Sequence, residues 1–199
     1  MRLFRPCFPA YCFYPEAAFR IKTPGRSLCL TFDDGPDPGS TTRILGILKK
    51  HDVKAIFFCN GRKAERHPDL IDLIKTEGHL IGNHGYNHLN GWKTSLKKYA
   101  DDITRAAPFT SLDLFRPPFG RLTLPQYNLL KKNYRIYFWD VMPYDFDDSF
   151  GAENSLRILK KKIRSGSVIV LHDTHDSSAS GLLEEFVEYA LKEGYVFVS

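Results

Sequence analysis

A deformed, incompletely closed (β/α) barrel of about seven parallel strands is the fold that this sequence predicts, and three observations predict it. From Ser27 onward, short β-rich runs alternate with amphipathic helical patterns along almost the whole 199-residue chain. Strands joined through helices are normally parallel with right-handed crossovers, which leaves an open doubly wound sheet or a barrel. The runs number seven where a regular barrel has eight strands. Nearly every one of them is also followed by an ionisable or metal-binding residue, and the carboxyl ends of such strands are where α/β folds collect their chemistry.

The first 26 residues lie outside this alternation. Prolines 6, 9 and 15 interrupt any apolar stretch behind Arg2 and Arg5, so the segment does not read as a signal peptide and is expected to pack on or beside the barrel. Its aromatic residues also suit a peripheral membrane contact. Residues 27–199 form the expected domain. Its strand candidates are "SLCLTF" (27–32), "KAIFF" (54–58), "HLIG" (79–82), "LDLF" (112–115), "YRIYFW" (134–139), "SVIVL" (167–171) and "YVFVS" (195–199). Between them stand the helical patterns "TTRILGILKKH", "PDLIDLIKTEG", "SLKKYADDITRA", "LPQYNLLKKN", "ENSLRILKKKIRSG" and "LLEEFVEYALKEG", several closed by a helix-stop glycine. The longest stretch without an expected element is "NHGYNHLNGWKT", residues 83–94. A loop of that length inside a compact domain is usually functional.

Composition narrows the function classes. A chain of this length that is 43% hydrophobic buries one core of ordinary size. The net charge of +5 comes largely from lysine runs such as Lys49-Lys50 and Lys160-Lys161-Lys162 near predicted helix ends, where cations complement the helix dipole. With no basic stripe interleaved with aromatics, nucleic acid is not an expected partner. Cys7, Cys12, Cys29 and Cys59 contain no C-x-x-C pair, which suits a reducing compartment. No apolar run is long enough for a bilayer, so the expectation is a cytoplasmic or membrane-peripheral chain. The sequence assigns it no oligomeric state.

The strand ends carry a specific set of residues. Asp33 and Asp34 come after the first, Asn83, His84 and His88 after the third, Arg116 after the fourth, Asp140 and Asp145 after the fifth, and His172 and Asp173 after the sixth. His84 and His88 have the i, i+4 spacing that presents two imidazoles to one ion on a helical turn, and Asp34 adds an oxygen ligand. An H-x-x-x-H pair also occurs by chance in polar loops, and this one lacks the glutamate of zincins. Joined to the aspartates, it reads as a catalytic metal site with positions left for water. The bland reading of Asp33-Asp34-Gly35-Pro36 is a solvated turn.

Five segments in order, "TFDDGP", "HGYNH", "RPPFG", "WDVMPYDF" and "VLHD", resemble the motifs of the polysaccharide deacetylase family, the NodB-homology domain or carbohydrate esterase family 4. The resemblance runs from about Leu28 to Val198. It implies a NodB-like deformed barrel and metal-dependent removal of N- or O-acetyl groups from an N-acetylated glycan. By that resemblance Asp34, His84 and His88 bind one divalent ion, zinc or another such as cobalt. Asp33 is the general base, His172 the general acid, Arg116 orients Asp33, and Asp145 orients His172. The backbone N–H of Phe119 is the expected oxyanion donor; Leu171 is expected to contact the acetyl methyl, Phe146 to give the substrate an aromatic wall, and Trp92 and Tyr86 to line a sugar groove.

Two positions depart from the family's usual pattern. Gly85 stands where Ser or Thr is usual, so a loop-bracing hydroxyl is absent, and Phe146 replaces the usual tryptophan. Two alternatives remain beside the deacetylase reading: the same site acting on a non-sugar amide or formamide, or a catalytically silent glycan-binding module.

Overall fold

The computed structural model describes residues 2–23 and 25–199. Its strands are β1 (Ser27–Asp33), β2 (Ile56–Cys59), β3 (Leu80–Asn83), β4 (Leu114–Phe115), β5 (Arg135–Ile136), β6 (Ser167–His172) and β7 (Val196–Phe197). They form one parallel sheet in the order β5-β4-β3-β2-β1-β6, with β7 paired to the start of β1. The sheet is a curled half-barrel, the deformed and incompletely closed barrel expected.

Its two faces follow the period-2 alternation of a strand. Leu28, Leu30 and Phe32 of β1, Phe57 and Cys59 of β2, and Ile169 and Leu171 of β6 face outward. There they join one large core with α2 (Pro38–Lys50), α4 (Pro68–Thr76), α7 (Ala152–Lys162) and α8 (Ala179–Lys192). Cys29, Ile56, Phe58 and Val168 face inward and pack with Tyr137 and Ala18. A third cluster joins α5 (Leu96–Ala106) and α6 (Leu124–Leu130) to aromatic residues of the N-terminal segment.

That segment occupies the seam that leaves the barrel incomplete. Ala18 bridges Tyr137, just beyond β5, and Arg20 bridges Ser167 at the start of β6. The Ala18 N–H donates to Ile136 O at 2.8 Å, and the Phe138 N–H donates back to Ala18 O at 3.0 Å. Val141 makes a further isolated bridge across the seam, to Ile169. Residues 134–139, expected as one strand, therefore pair regularly only at Arg135–Ile136 and then leave the ladder for these single bridges.

Two short helices were not expected. α1 (Phe8–Phe13) buries none of its residues, and its Pro9 sits in the first turn, where a missing N–H matters least. α3 (Gly61–Arg66) is six residues opened by Asn60, whose side chain accepts from the N–H groups of Arg62 and Lys63. Neither is long enough to show helical periodicity. Among the described residues no helix is long and apolar enough to cross a membrane.

Candidate active site

β1 delivers both aspartates. Asp33 is its last residue and shares the inward face with Thr31 and Cys29, two and four positions back. Asp34 would point the other way on a continuing strand. Instead it leaves the strand in the left-handed region (φ 72°), and the backbone reversal turns its carboxylate into the same cavity. Asp is one of the few residues whose short polar side chain tolerates that conformation.

Behind Asp33 lies Arg116, fully buried at the end of β4. Its Nη1 donates to Asp33 Oδ1 and to Thr31 Oγ1, both at 2.6 Å, and its Nη2 donates to Phe138 O at 2.8 Å. The guanidinium lies 4.3 Å from the centre of the Phe58 ring. A buried pair so bonded fixes the carboxylate's position, and removing one partner typically costs about 3–5 kcal/mol.

The loop after β3 supplies the imidazoles. It is not the helical turn that the H-x-x-x-H spacing suggested, since Gly85 (φ 71°) and His88 (φ 56°) both lie in the left-handed region. The tight loop nonetheless brings the rings together, with centroids 5.1 Å apart. Nε2 of His84 lies 3.5 Å and Nε2 of His88 3.0 Å from Asp34 Oδ1. His84 Nδ1 is 2.8 Å from Arg116 O, and a carbonyl can only accept, so Nδ1 carries the proton and Nε2 keeps its lone pair for the cavity. Burial lowers the His84 pKa and favours this neutral, ligand-competent ring. Burial works against the Asp34 carboxylate, but its hydrogen bond to His88 and the neighbouring imidazoles outweigh it and hold its pKa low. Two imidazole nitrogens and one carboxylate oxygen, all within 4.8 Å of one another, fit a divalent cation with coordination positions left open.

Across the cavity, His172 ends β6. Its backbone N–H donates to Asp145 Oδ2 at 2.7 Å, and its Nδ1 lies 3.0 Å from Asp145 Oδ1. Burial alone would discharge this ring, but Asp145 and the aspartates beyond it raise its pKa to about 9. This raised pKa favours the protonated imidazole, in which Nε2–H is a second donor. Phe146 stands edge-on to the ring at 4.7 Å.

Asp33, Asp34, His84, His88, Phe146 and His172 line one cavity of about 380 Å³, together with Phe119, Gly120, Arg121, Trp139, Met142 and Val170. Phe119 enters it from a turn where its φ is 59°. Three expected residues are elsewhere. Tyr86 is buried outside the lining. Leu171 alternates with Val170 and His172 on β6, so it faces the helices and belongs to the outer core. Trp92 is exposed on a 3-10 turn, Gly91–Lys93, outside the lining, and its ring lies 5.2 Å from the guanidinium of Arg121, which does line the cavity. Trp139, Met142 and Val170 were not anticipated. The alternation that places Asp33 and His172 inward also places Val170 inward, whereas Trp139 and Met142 lie on an irregular run without a period.

The family model for polysaccharide deacetylase matches residues 20–133. A peptidoglycan-N-acetylglucosamine deacetylase of Bacillus cereus is 32% identical over 182 residues, covering 86% of this chain and 85% of that protein. The chain belongs to the polysaccharide deacetylase family. A chitooligosaccharide deacetylase of Azorhizobium caulinodans is also 32% identical, over 78% of each chain. Among solved structures, a peptidoglycan N-acetylglucosamine deacetylase in complex with 4-naphthalen-1-yl-N-oxidanyl-benzamide superposes with a TM-score of 0.88 at 31% identity, covering 96% of this chain and 93% of that one.

In this member of the polysaccharide deacetylase family, the hydroxyl absent at Gly85 has a counterpart on another element. Asp102 of α5 accepts from the N–H groups of Tyr86 (2.9 Å) and Asn87 (3.1 Å) and from Asn87 Nδ2 (2.5 Å), all between the two histidines. A Cβ at residue 85 would meet Asp102 Oδ2 at 3.0 Å, so the glycine lets the carboxylate approach the loop. A second group with metal-binding spacing, His51, Glu184 and Glu188, lies on the outer surface, and Lys50 Nζ already sits 2.5 Å from Glu184 Oε1. His175 bonds Asp37 and Asp176 and joins no ligand group among the described residues.

Proposed function

We propose that this chain is a metal-dependent hydrolase that removes N-acetyl groups, and O-acetyl groups where these are presented, from an N-acetylated glycan. One observation carries the reading: three convergent ligand atoms, a carboxylate fixed by a buried arginine, and an imidazole fixed by a second carboxylate share one cavity. Similarity to deacetylases of peptidoglycan and chitooligosaccharide supports the substrate class.

Asp34, His84 and His88 would hold the ion, zinc or another divalent cation such as cobalt. When bound, it supplies Lewis-acid polarisation of the acetyl carbonyl and a more acidic water. Asp33, held by Arg116, accepts the proton of the attacking water. The backbone N–H of Phe119 donates to the oxygen on which negative charge develops. His172 gives its proton to the departing amine, a group that leaves poorly unless protonated, and Asp145 keeps the ring charged and oriented for that transfer. Phe146, Met142 and Val170 offer apolar surface to the acetyl methyl, and Trp92 with Arg121 extends the rim toward further sugar units.

The site's apolar walls also admit a non-sugar amide, so the test is a panel. Zinc-loaded protein is incubated with chitin oligomers, peptidoglycan fragments and simple formamides, and products are followed by mass spectrometry. Acetate release from the glycans is expected. Turnover of the formamides alone would replace the substrate class, and glycan binding without turnover would make the chain a silent module. The chain is proposed to work in the cytoplasm or at a membrane surface, with exposed Leu3, Phe8 and Phe13 as the apolar contact.

A further inference from the structure

The cavity's outer wall is held from behind by the first residues of the chain. Residues 140–151 run from the barrel seam to α7, and Met142 and Phe146 on this run line the cavity. Along the opposite side of the run lies an almost continuous set of contacts from Arg2 to Arg5. The Met142 N–H donates to Phe4 O at 3.0 Å. The Tyr144 hydroxyl accepts from the Leu3 N–H at 3.0 Å and donates to Leu3 O at 3.2 Å. Arg2 donates through Nε (3.0 Å) and Nη2 (2.6 Å) to Asp147 and through Nη2 to Ser149 (3.0 Å), and its guanidinium covers the Phe150 ring at 4.7 Å. Arg5 Nε lies 3.4 Å from the buried Asp140.

We propose that residues 2–5 are a strap that sets the substrate wall of the cavity, with Arg2 and Phe4 acting as positioning residues for Phe146 and Met142. The proposal rests on the glycan-deacetylase reading for its effect on substrate. The route is a series of ring contacts: Phe4 lies edge-on to Tyr144 (5.6 Å), Tyr144 lies against Phe146 (5.5 Å), and Phe146 stands against His172 (4.7 Å). Tyr144 has φ 64°, a conformation that a bulky residue keeps only when its surroundings enforce it. The strap's two bonds to its hydroxyl contribute to that enforcement. Asp145 is anchored independently on its inner side, where its Oδ2 accepts from Ser177 Oγ at 2.8 Å and its carbonyl accepts from the Ser178 N–H at 2.9 Å. The strap therefore acts on the wall that meets the substrate more than on the acid.

The test compares the full chain with Arg2→Ala, Phe4→Ala and the double variant. Measurements are kcat and KM for acetate release from chitin oligomers, hydrogen exchange resolved to residues 142–151, and thermal melting. In the variants KM is expected to rise about three- to tenfold with kcat within about twofold, because uniform binding rather than transition-state stabilisation is lost. Exchange should quicken in 142–151 while the β1 and β6 amides stay protected, and Phe4→Tyr, which keeps the ring, should restore both. Unchanged KM with unchanged exchange in 142–151 would overturn the strap, as would a lower melting temperature with exchange quickened evenly across the chain and KM unaltered. A wild-type chain that releases no acetate would defeat the deacetylase reading, while local exchange in 142–151 would still decide whether the strap holds the wall.

Discussion

Asp102 lies on α5, outside the cavity lining, yet its carboxylate collects three donors from the loop between His84 and His88. Groups that orient metal ligands without touching the ion commonly change affinity by about 10- to 100-fold when removed. Asp102→Ala is therefore expected to weaken zinc binding by roughly that factor, and Asp102→Asn, which keeps one acceptor oxygen, by less. Competition with a chromophoric chelator reads this directly, and an affinity equal to wild type would leave Asp102 as a brace of the loop with no influence on the ion. The proposed ligands were legible in the sequence, because Asp34 and His84 directly follow strands whose carboxyl ends could be located and His88 stands four residues beyond His84. Asp102 was not, since its role depends on the approach of two elements that no local pattern encodes. Leu171 was misplaced for a reason the sequence did hold: counting alternate residues back from His172 puts Val170, not Leu171, on the inner face.

The strands were the most legible elements, and each of the seven expected runs overlaps one. The shortfall lies at β4, β5 and β7, each a strand of two residues; β5 is the sheet edge, where Ala18 takes over the pairing with Ile136 and Phe138. The junction of α4 with β3 carries a testable consequence. His79 is buried between them, and its Nδ1 accepts from the Ala55 N–H at 3.2 Å, so the ring must be neutral at that nitrogen. Burial, aided by Lys54, lowers its pKa from 6.5 to about 4. Between those values the unfolded chain binds the proton and the folded chain refuses it, so stability falls as pH drops through this window, by roughly 3 kcal/mol when complete. Asp173, which burial pushes up to about 6, titrates in the opposite sense, so the informative quantity is a difference. His79→Gln should lose less stability than wild type between about pH 6.5 and 4 in urea unfolding. Parallel stability curves for the two proteins would contradict this.

At the scale of the whole molecule, an open barrel gathers two adjacent carboxylates from one strand end, and the proposed function gives them separate work. Asp33 is tied to a buried arginine at 2.6 Å, and Asp34 is turned by a backbone reversal toward two imidazoles. The order of motifs along the chain foretold this gathering, because parallel strands bring their ends to one rim whatever their separation in sequence. The filling of the seam by the N-terminal segment could not be foretold, since single bridges leave no periodic trace. The most direct test of the divided roles is a metal titration of Asp33→Asn and Asp34→Asn, with zinc occupancy and acetate release measured together and folding checked by melting. Asp33→Asn is predicted to stay folded and bind zinc as wild type does, yet remain inactive at every metal concentration, because an amide cannot accept the proton of the attacking water. Asp34→Asn is predicted to bind zinc weakly and to recover part of its activity in excess metal. Rescue of Asp33→Asn by metal, with none for Asp34→Asn, would reverse the roles, and full activity in both variants would contradict the account outright.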